Sequence, residues 1–172
     1  MFESLLRRLL APEPDRLPEP DSRLALAALL VRVGRADGHY SAPETERIDA
    51  VLRCRYGLDA AAAAALRREA EILEEEAPDT VRFTRAVKEH VAYEDRLGVI
   101  EALWEVALAD GRRDAEEDGL MRLVAPLLGV EDVDSGLARQ RVEARLDGGA
   151  SGEGPGGAAG GGPTGPWGRA GR

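Results

Sequence analysis

The sequence has little of several residue types on which common functional sites depend. It contains one cysteine, Cys54, so an intrachain disulfide is excluded and a reducing compartment is expected. Aromatic residues make up only 4% of the chain, so leucine, alanine and valine must fill its core. No histidine lies near Cys54 in the sequence. We therefore expect Cys54 to be a small, partly buried helix residue rather than a catalytic thiol.

The chain also lacks the features of nucleic-acid-binding and membrane-spanning proteins. Its formal net charge is −9, whereas binding to a phosphate backbone depends on clustered lysine and arginine. No apolar run reaches about 18 residues without a charge, so no transmembrane helix is expected. Arg7 and Arg8 interrupt the amino-terminal apolar segment and argue against a signal peptide.

Composition and apolar periodicity divide the chain into three parts. Residues 1–20 are predicted to form a short amphipathic segment and a proline-rich linker. Residues 21–147 are predicted to form an all-α domain of about seven helices, because isoleucine and threonine are scarce and the apolar residues recur at helical spacing. Residues 148–172 are rich in glycine and poor in apolar residues, so we predict a disordered tail.

One short stretch occurs twice, 73 residues apart. Residues 36–44 read Ala-Asp-Gly-His-Tyr-Ser-Ala-Pro-Glu, and residues 109–117 read Ala-Asp-Gly-Arg-Arg-Asp-Ala-Glu-Glu. Each copy follows a long apolar run and precedes a helical pattern that ends at a glycine, Gly57 or Gly129. Glycine after a helical run supplies the left-handed conformation that ends a helix. The pattern predicts two helix–turn–helix hairpins.

Residues suited to cap helices follow the Asp-Gly turns. Ser41 and Asp114 stand at the expected N-cap positions, with Glu44 and Glu117 three residues later. Serine followed by glutamate at this spacing is a capping box, and the aspartate version is a looser form of it. The third and fourth helices are likewise predicted to begin at the capping residues Asp59 and Asp79.

The two turn aspartates allow two interpretations. A carboxylate at the end of a helix faces the negative end of its dipole, which is unfavourable unless something compensates. In the first interpretation, Asp37 and Asp110 accept hydrogen bonds from nearby loop amides. In the second, acidic residues of both turns converge on a divalent cation, with these candidate ligands: Asp37, Glu44, Asp110 and Glu117. Calcium requires six to eight oxygens, so one turn would bind only weakly and a real site needs both turns close together.

Apolar patterns also predict which residues fill the core. The first helix is apolar nearly all round from Leu24 to Val33, which is typical of a central helix. The fifth helix carries Trp104, the largest core candidate. The sixth and seventh helices show apolar stripes: Leu120, Leu123, Val124 and Leu127, then Val133, Leu137, Val142 and Leu146.

Two segments, Phe83-Thr84-Arg85 and the run from Glu101 to Gly111, resemble the TerB family of tellurite-resistance and stress proteins. The amino-terminal domain of membrane-anchored DnaJ-like co-chaperones is related to that family. The resemblance covers about residues 22–146. It implies a bacterial, cytoplasmic, all-helical protein with a non-enzymatic role in stress response. It also implies that acidic residues bind divalent cations, and the residues that match the family motif are Asp37, Glu44, Asp110, Asp114 and Glu117. The first copy has Ser41 where the second has Asp114, so its ligand set is thinner.

The sequence shows no catalytic constellation. A Ser-His-Asp order, a phosphate-binding glycine loop and zinc-type ligand spacing are all missing, so no enzyme and no catalytic residue is predicted. Of the two histidines, His39 is expected to be an exposed turn residue. We predict a helical adaptor that binds a protein partner and carries a weak divalent-cation site. A membrane-associated complex is one place where such a partner is expected. The alternative is a calcium-type sensor in which cation binding is the main activity.

Overall fold

The fold is all α-helical. A computed structural model of the protein describes residues 19–76, 79–111 and 114–149, and within these ranges the chain forms seven α-helices and one 3-10 turn, without a strand. The predicted fold class is therefore confirmed. Of the predicted segment and linker over residues 1–20 and the predicted tail over residues 148–172, only residues 19–20 and 148–149 are described, and they belong to the first and the last helix; the rest lies outside the described residues. None of the described helices combines the length and apolar character needed to cross a membrane.

The seven α-helices follow one another through short connections. In chain order they are α1 Glu19–Gly34, α2 Ala42–Tyr56, α3 Ala60–Glu76, α4 Thr80–His90, α5 Arg96–Ala107, α6 Ala115–Leu127 and α7 Asp132–Gly149, with a 3-10 turn at Tyr93–Asp95 before α5.

Helix α1 is the centre of the fold. It contacts α2, α3, α4, α5 and α6. Every residue from Ala25 to Val31 is buried and apolar. Since full burial of one leucine or valine side chain stabilises a protein by about 1.5–3 kcal/mol, this helix provides much of the hydrophobic stabilisation. The prediction that the first helix is central is confirmed.

Helices α5 and α7 pack together around Trp104. The indole is 6% exposed, and its Nε1 donates a hydrogen bond to the Ser135 carbonyl oxygen at 3.1 Å. The guanidinium of Arg139 lies over the ring, 5.0 Å from its centroid. Small residues of α7, Ser135 and Ala138, face the core here and leave room for the indole. Trp104 is thus a core residue, as its sequence position predicts.

Some predictions of side-chain burial are wrong. Leu123 is 51% exposed, because the buried stripe of α6 consists of Glu117, Met121, Val124 and Ala125. Val133 and Leu137 are also exposed, since α7 turns its small residues rather than these larger ones toward Trp104. Cys54 is exposed instead of partly buried, because the buried side of α2 is the one that carries Ile48, Val51 and Leu52.

Two predicted helix starts are confirmed by their hydrogen bonds. Asp59 Oδ1 accepts from the Ala62 amide at 2.7 Å, and Asp79 Oδ1 accepts from the Arg82 amide at 2.9 Å. Both bonds satisfy an amide that has no partner inside its helix. These caps fix where α3 and α4 begin.

Candidate metal centre

The two Asp-Gly turns have matching backbone geometry. Gly38 has a φ of 78° and Gly111 a φ of 71°, a left-handed conformation that favours glycine. The Gly38 amide donates to the Arg35 carbonyl at 3.0 Å, and the Gly111 amide donates to the Leu108 carbonyl at 3.2 Å. Each turn therefore holds its aspartate at the same place, just after a buried helix.

The helices after the turns begin with acidic residues that accept hydrogen bonds. Glu44 Oε2 accepts from the Ser41 amide at 2.5 Å, which is the glutamate half of the predicted capping box. Asp114 Oδ1 accepts from the Glu116 amide at 2.6 Å and caps α6. As a result, Glu44 and Glu117 occupy equivalent positions in the first turns of α2 and α6.

Three of the five candidate ligands converge. Asp37, Glu44 and Glu117 each offer a carboxylate oxygen, and these oxygens lie within 4.8 Å of one another. We call these three residues the carboxylate cluster. Glu44 is completely buried and Glu117 is 3% exposed. The cluster combines residues of both turns, which is the arrangement that a cation site of sufficient oxygen count needs.

Two oxygens of the carboxylate cluster are buried without a hydrogen bond. Neither Glu44 Oε1 nor Glu117 Oε1 has a hydrogen-bond partner among the residues that the structure describes. Burying a polar atom without a partner costs about 1–3 kcal/mol, and more for a charged group. These two oxygens are therefore available to a proton or to a cation.

Asp37 is the third member of the carboxylate cluster. One of its oxygens accepts a hydrogen bond from a loop amide, as the first interpretation of the turn predicts. Its Oδ1 accepts a hydrogen bond from the His39 amide at 2.8 Å, which is the local bond expected of an aspartate in a turn. Its other oxygen lies 3.8 Å from His39 Nδ1. The Asp37 side chain is only 7% exposed, whereas that of His39 is 74% exposed, as predicted. The two interpretations of the turn are compatible at this residue.

The pKa values of the two buried glutamates are raised. Burial is the main cause of the Glu117 pKa of about 8, and the charges of Asp37, Asp110, Glu44 and Asp114 raise it further. Burial also raises the pKa of Glu44, with smaller contributions from Asp110 and Asp37. Asp110 and Asp114 thus lie outside the carboxylate cluster but close enough to influence it. A proton and a cation would compete for Glu117 near neutral pH.

Sequence reasoning missed one residue next to the carboxylate cluster, Tyr40. Its hydroxyl donates a hydrogen bond to Glu71 Oε1 of α3 at 2.8 Å. Burial and this contact with Glu71 raise the pKa of Tyr40, so the phenol stays protonated and acts as the donor. The available signal was the sequence repeat itself, because the first copy has Tyr40 where the second has Arg113.

The family of the chain follows from its sequence profile. The profile of the family described as "Tellurite resistance protein TerB" matches residues 23–140. The chain belongs to the TerB family. The matched range includes both Asp-Gly turns and the whole carboxylate cluster of this TerB chain. No curated protein and no solved structure matches it.

The donor atoms of this TerB chain fit a hard divalent cation. All members of the carboxylate cluster offer oxygen, the ligand that calcium, magnesium and manganese prefer. One buried oxygen of Glu44 and one of Glu117 lack a hydrogen bond among the described residues, and coordination to a cation would take the place of that bond. Three carboxylates supply fewer oxygens than a calcium shell requires, so water would complete the coordination.

Proposed function

We propose that this TerB-family chain is a non-enzymatic helical adaptor of the bacterial stress response, of the tellurite-resistance type, whose two turns bind a divalent cation. One observation carries the cation part of the proposal: two buried carboxylates, one from each turn, meet in the carboxylate cluster, and each keeps a buried oxygen without a hydrogen-bond partner in the described chain. The cation would supply positive charge that neutralises the carboxylate cluster and joins the two turns.

The charge of the carboxylate cluster supports this proposal. Two full negative charges within 4.8 Å of each other repel by at least about 3 kcal/mol at an effective dielectric constant of about 20. No arginine or lysine of the described chain is seen to form an ion pair with Glu44 or Glu117. A bound cation is the compensation that lets all three carboxylates stay ionised. Without it, protonation of Glu117 relieves part of the repulsion.

One observation favours the alternative function, a cation sensor. The carboxylate cluster takes Glu44 and Glu117 from turns that are 73 residues apart. An ion bound between them would change how firmly the two hairpins are held together. Cation concentration would then be read out as a change in the stability or in the exposed surface of the domain.

Exposed apolar residues support the adaptor part of the proposal. Val133 and Leu137 lie one turn apart on α7 and are 70% and 47% exposed, so they share one face of the helix. Adjacent exposed apolar side chains are a common feature of protein-binding surfaces. We propose cytoplasmic protein partners rather than nucleic acid, since the net charge of the chain is −9.

The cation proposal is tested by thermal melting of chelator-treated protein with increasing calcium, magnesium or zinc. We expect the melting temperature of the wild type to rise with the logarithm of the calcium or magnesium concentration. The double variant Asp37→Asn/Glu117→Gln should show no rise. Glu116→Gln is the matched control, because this exposed neighbour removes one charge from the same helical turn and should keep the response.

Two results would contradict the proposal. If none of the three ions changes the melting temperature of the wild type, the chain does not use these turns to bind a cation. If the double variant responds as strongly as the wild type, the ion binds elsewhere.

A further inference from the structure

We infer that Tyr40 is a positioning residue of the cation site, which holds Asp37 in the carboxylate cluster through its hydrogen bond to Glu71. This inference deepens the proposed function and rests on it. Tyr40 lies in the loop between Asp37 and Glu44, two members of the cluster. Whatever fixes this loop therefore fixes the distance between them.

The Tyr40 hydroxyl connects the first turn to two helices. It donates to Glu71 Oε1 at 2.8 Å, and the same carboxylate is held by Arg67 Nη1 at 2.5 Å. Arg67 in turn donates from Nε to Asp49 Oδ1 of α2 at 2.7 Å. The loop is thereby tied to α3 and, through Arg67, to the helix that carries Glu44.

The Tyr40 ring is also fixed in place. A Cβ atom on Gly34 would lie 3.3 Å from Tyr40 Cε2 and 3.4 Å from Val106 Cγ1, so the glycine leaves the room that the ring needs at the end of α1. The Arg35 guanidinium lies 5.1 Å from the ring centroid and donates to Glu74 Oε2 at 3.0 Å. Ring and hydroxyl together hold residue 40 against α3.

The position of residue 40 affects the Asp37 carboxylate directly. The amide of His39, next to Tyr40, donates the hydrogen bond that orients Asp37 Oδ1. The first half of the turn is already fixed by backbone bonds from Ala36 to Val33 and from Gly38 to Arg35. Tyr40 lies in the second half of the turn. Loss of its hydrogen bond to Glu71 would therefore make the His39 amide, which orients the Asp37 carboxylate, more mobile.

A tyrosine at this place is not required by the turn itself. The second turn has the same backbone bond at Gly111, yet its sequence has Arg113 at the position of Tyr40. The tyrosine is therefore a property of the first turn alone, the turn that contributes two members of the carboxylate cluster.

The first arm of the test needs no metal. In chelator-treated protein, Tyr40→Phe should speed hydrogen exchange of the His39 amide by about five- to tenfold, which corresponds to the loss of one hydrogen bond. The Gly111 amide of the second turn should exchange at its wild-type rate. Tyr93→Phe is the matched control, because that tyrosine is 69% exposed. An unchanged His39 exchange rate in Tyr40→Phe would overturn the inference.

The second arm measures calcium and magnesium affinity by titration calorimetry. Tyr40→Phe and Glu71→Ala should each weaken the binding of the ion by about three- to tenfold, because a loosened Asp37 must be ordered when the ion binds. Tyr93→Phe should bind as the wild type does. If Tyr40→Phe lowers the melting temperature but leaves the ion affinity unchanged, the tyrosine is merely structural and the inference is wrong.

The two arms separate failure of the inference from failure of the proposed function. If the wild type binds neither ion, the cation proposal fails, while the exchange rate of His39 still decides whether Tyr40 holds the Asp37 turn. If the wild type binds an ion and only the Tyr40 and Glu71 variants bind it more weakly, both are supported.

Discussion

The α5–α7 interface and the carboxylate cluster both bury glutamates, but their surroundings differ. In the interface, Glu101 accepts hydrogen bonds from Arg141 at 2.9 Å and from Arg145 at 3.2 Å. In the cluster, Glu44 and Glu117 each keep one buried oxygen without a partner in the described ranges. The chain has 23 lysine and arginine residues, so positive side chains are plentiful.

This difference shows which buried acids belong to the fold and which are left for a ligand. A glutamate paired with arginine is neutralised in every solution condition in which both groups are charged. A cluster of carboxylates without such a partner must take its positive charge from outside the chain, as a proton or as a cation. We therefore expect the interface to be insensitive to ions and the cluster to respond to them.

The largest effect should come from the interface. Trp104→Ala removes a buried indole and its hydrogen bond to Ser135, so it should lower the free energy of unfolding by about 3–5 kcal/mol. Leu123→Ala, at a half-exposed position, should cost less than about 1 kcal/mol. Chemical denaturation measures both. A loss below about 1 kcal/mol for Trp104→Ala would show that the interface is not a core element.

A smaller effect distinguishes the two kinds of buried glutamate. Glu101→Gln should destabilise the chelator-treated protein at pH 7 by about 1–2 kcal/mol, a modest loss because its arginine partners are about half exposed. Glu117→Gln should instead raise the stability, because the unfolded wild type gains free energy by ionising Glu117 at pH 7 and the unfolded glutamine variant does not. Equal losses in urea denaturation would remove the distinction between the two sites.

The pH dependence sharpens the comparison at Glu117. The folded protein keeps the Glu117 proton up to about pH 8, whereas the unfolded chain loses it near pH 4.5. The stabilising contribution of this proton is complete below pH 4.5 and is lost as the pH rises toward 8. Without metal, Glu117→Gln should therefore match the wild type below pH 4.5 and exceed its stability by a growing margin as the pH rises toward 8.

Saturating calcium should reverse that order at pH 9, because the cation stabilises the ionised wild-type carboxylate. Urea denaturation of both proteins at pH 6 and pH 9, with and without calcium, measures the four values. A stability difference that does not vary with pH would show that Glu117 is ionised throughout.

The smallest effect is expected at Asp37 in the absence of metal. Asparagine keeps an oxygen that accepts the hydrogen bond from the His39 amide and is itself a good turn residue. Asp37→Asn should thus change the free energy of unfolding by less than about 0.5 kcal/mol in chelator. A loss above about 1.5 kcal/mol would mean that the charge of Asp37, rather than its hydrogen bond, supports the turn.

Features that depend on neighbouring residues could be predicted from the sequence. Asp59 and Asp79 cap helices, and Gly38 and Gly111 adopt left-handed turns, because these roles need only the next few residues. The all-helical class and the central first helix follow from composition and from one long apolar run. The two acidic turns were also recognisable as a repeat.

Features that depend on how helices face one another could not be predicted in the same way. Leu123 fits an apolar stripe in the sequence, yet α6 buries a different stripe that begins at Glu117 and continues with Met121 and Val124. Helix α2 buries the same pattern, which begins at Glu44. From its residue type alone, a glutamate one turn before a buried apolar stripe is predicted to be exposed. Only the packing of the neighbouring helices shows that it is buried.

Contacts between distant segments were the hardest to foresee. Tyr40 and Glu71 are 31 residues apart, and no periodic pattern links a loop tyrosine to a particular glutamate of a helix. The meeting of Glu44 with Glu117 likewise depends on the way in which α1 and α5 bring the two turns together. The repeat predicted equivalent residues but not their distance.

The separation of Glu44 and Glu117 along the chain has a kinetic consequence. They are 73 residues apart, so neither half of the domain holds the complete set of carboxylates. An ion bound by the whole set stabilises only molecules in which the two turns have already met. Contacts between distant segments that form after the folding transition state affect unfolding rather than folding rates. We expect a cation to lengthen the lifetime of the folded domain while the domain folds at nearly the same speed.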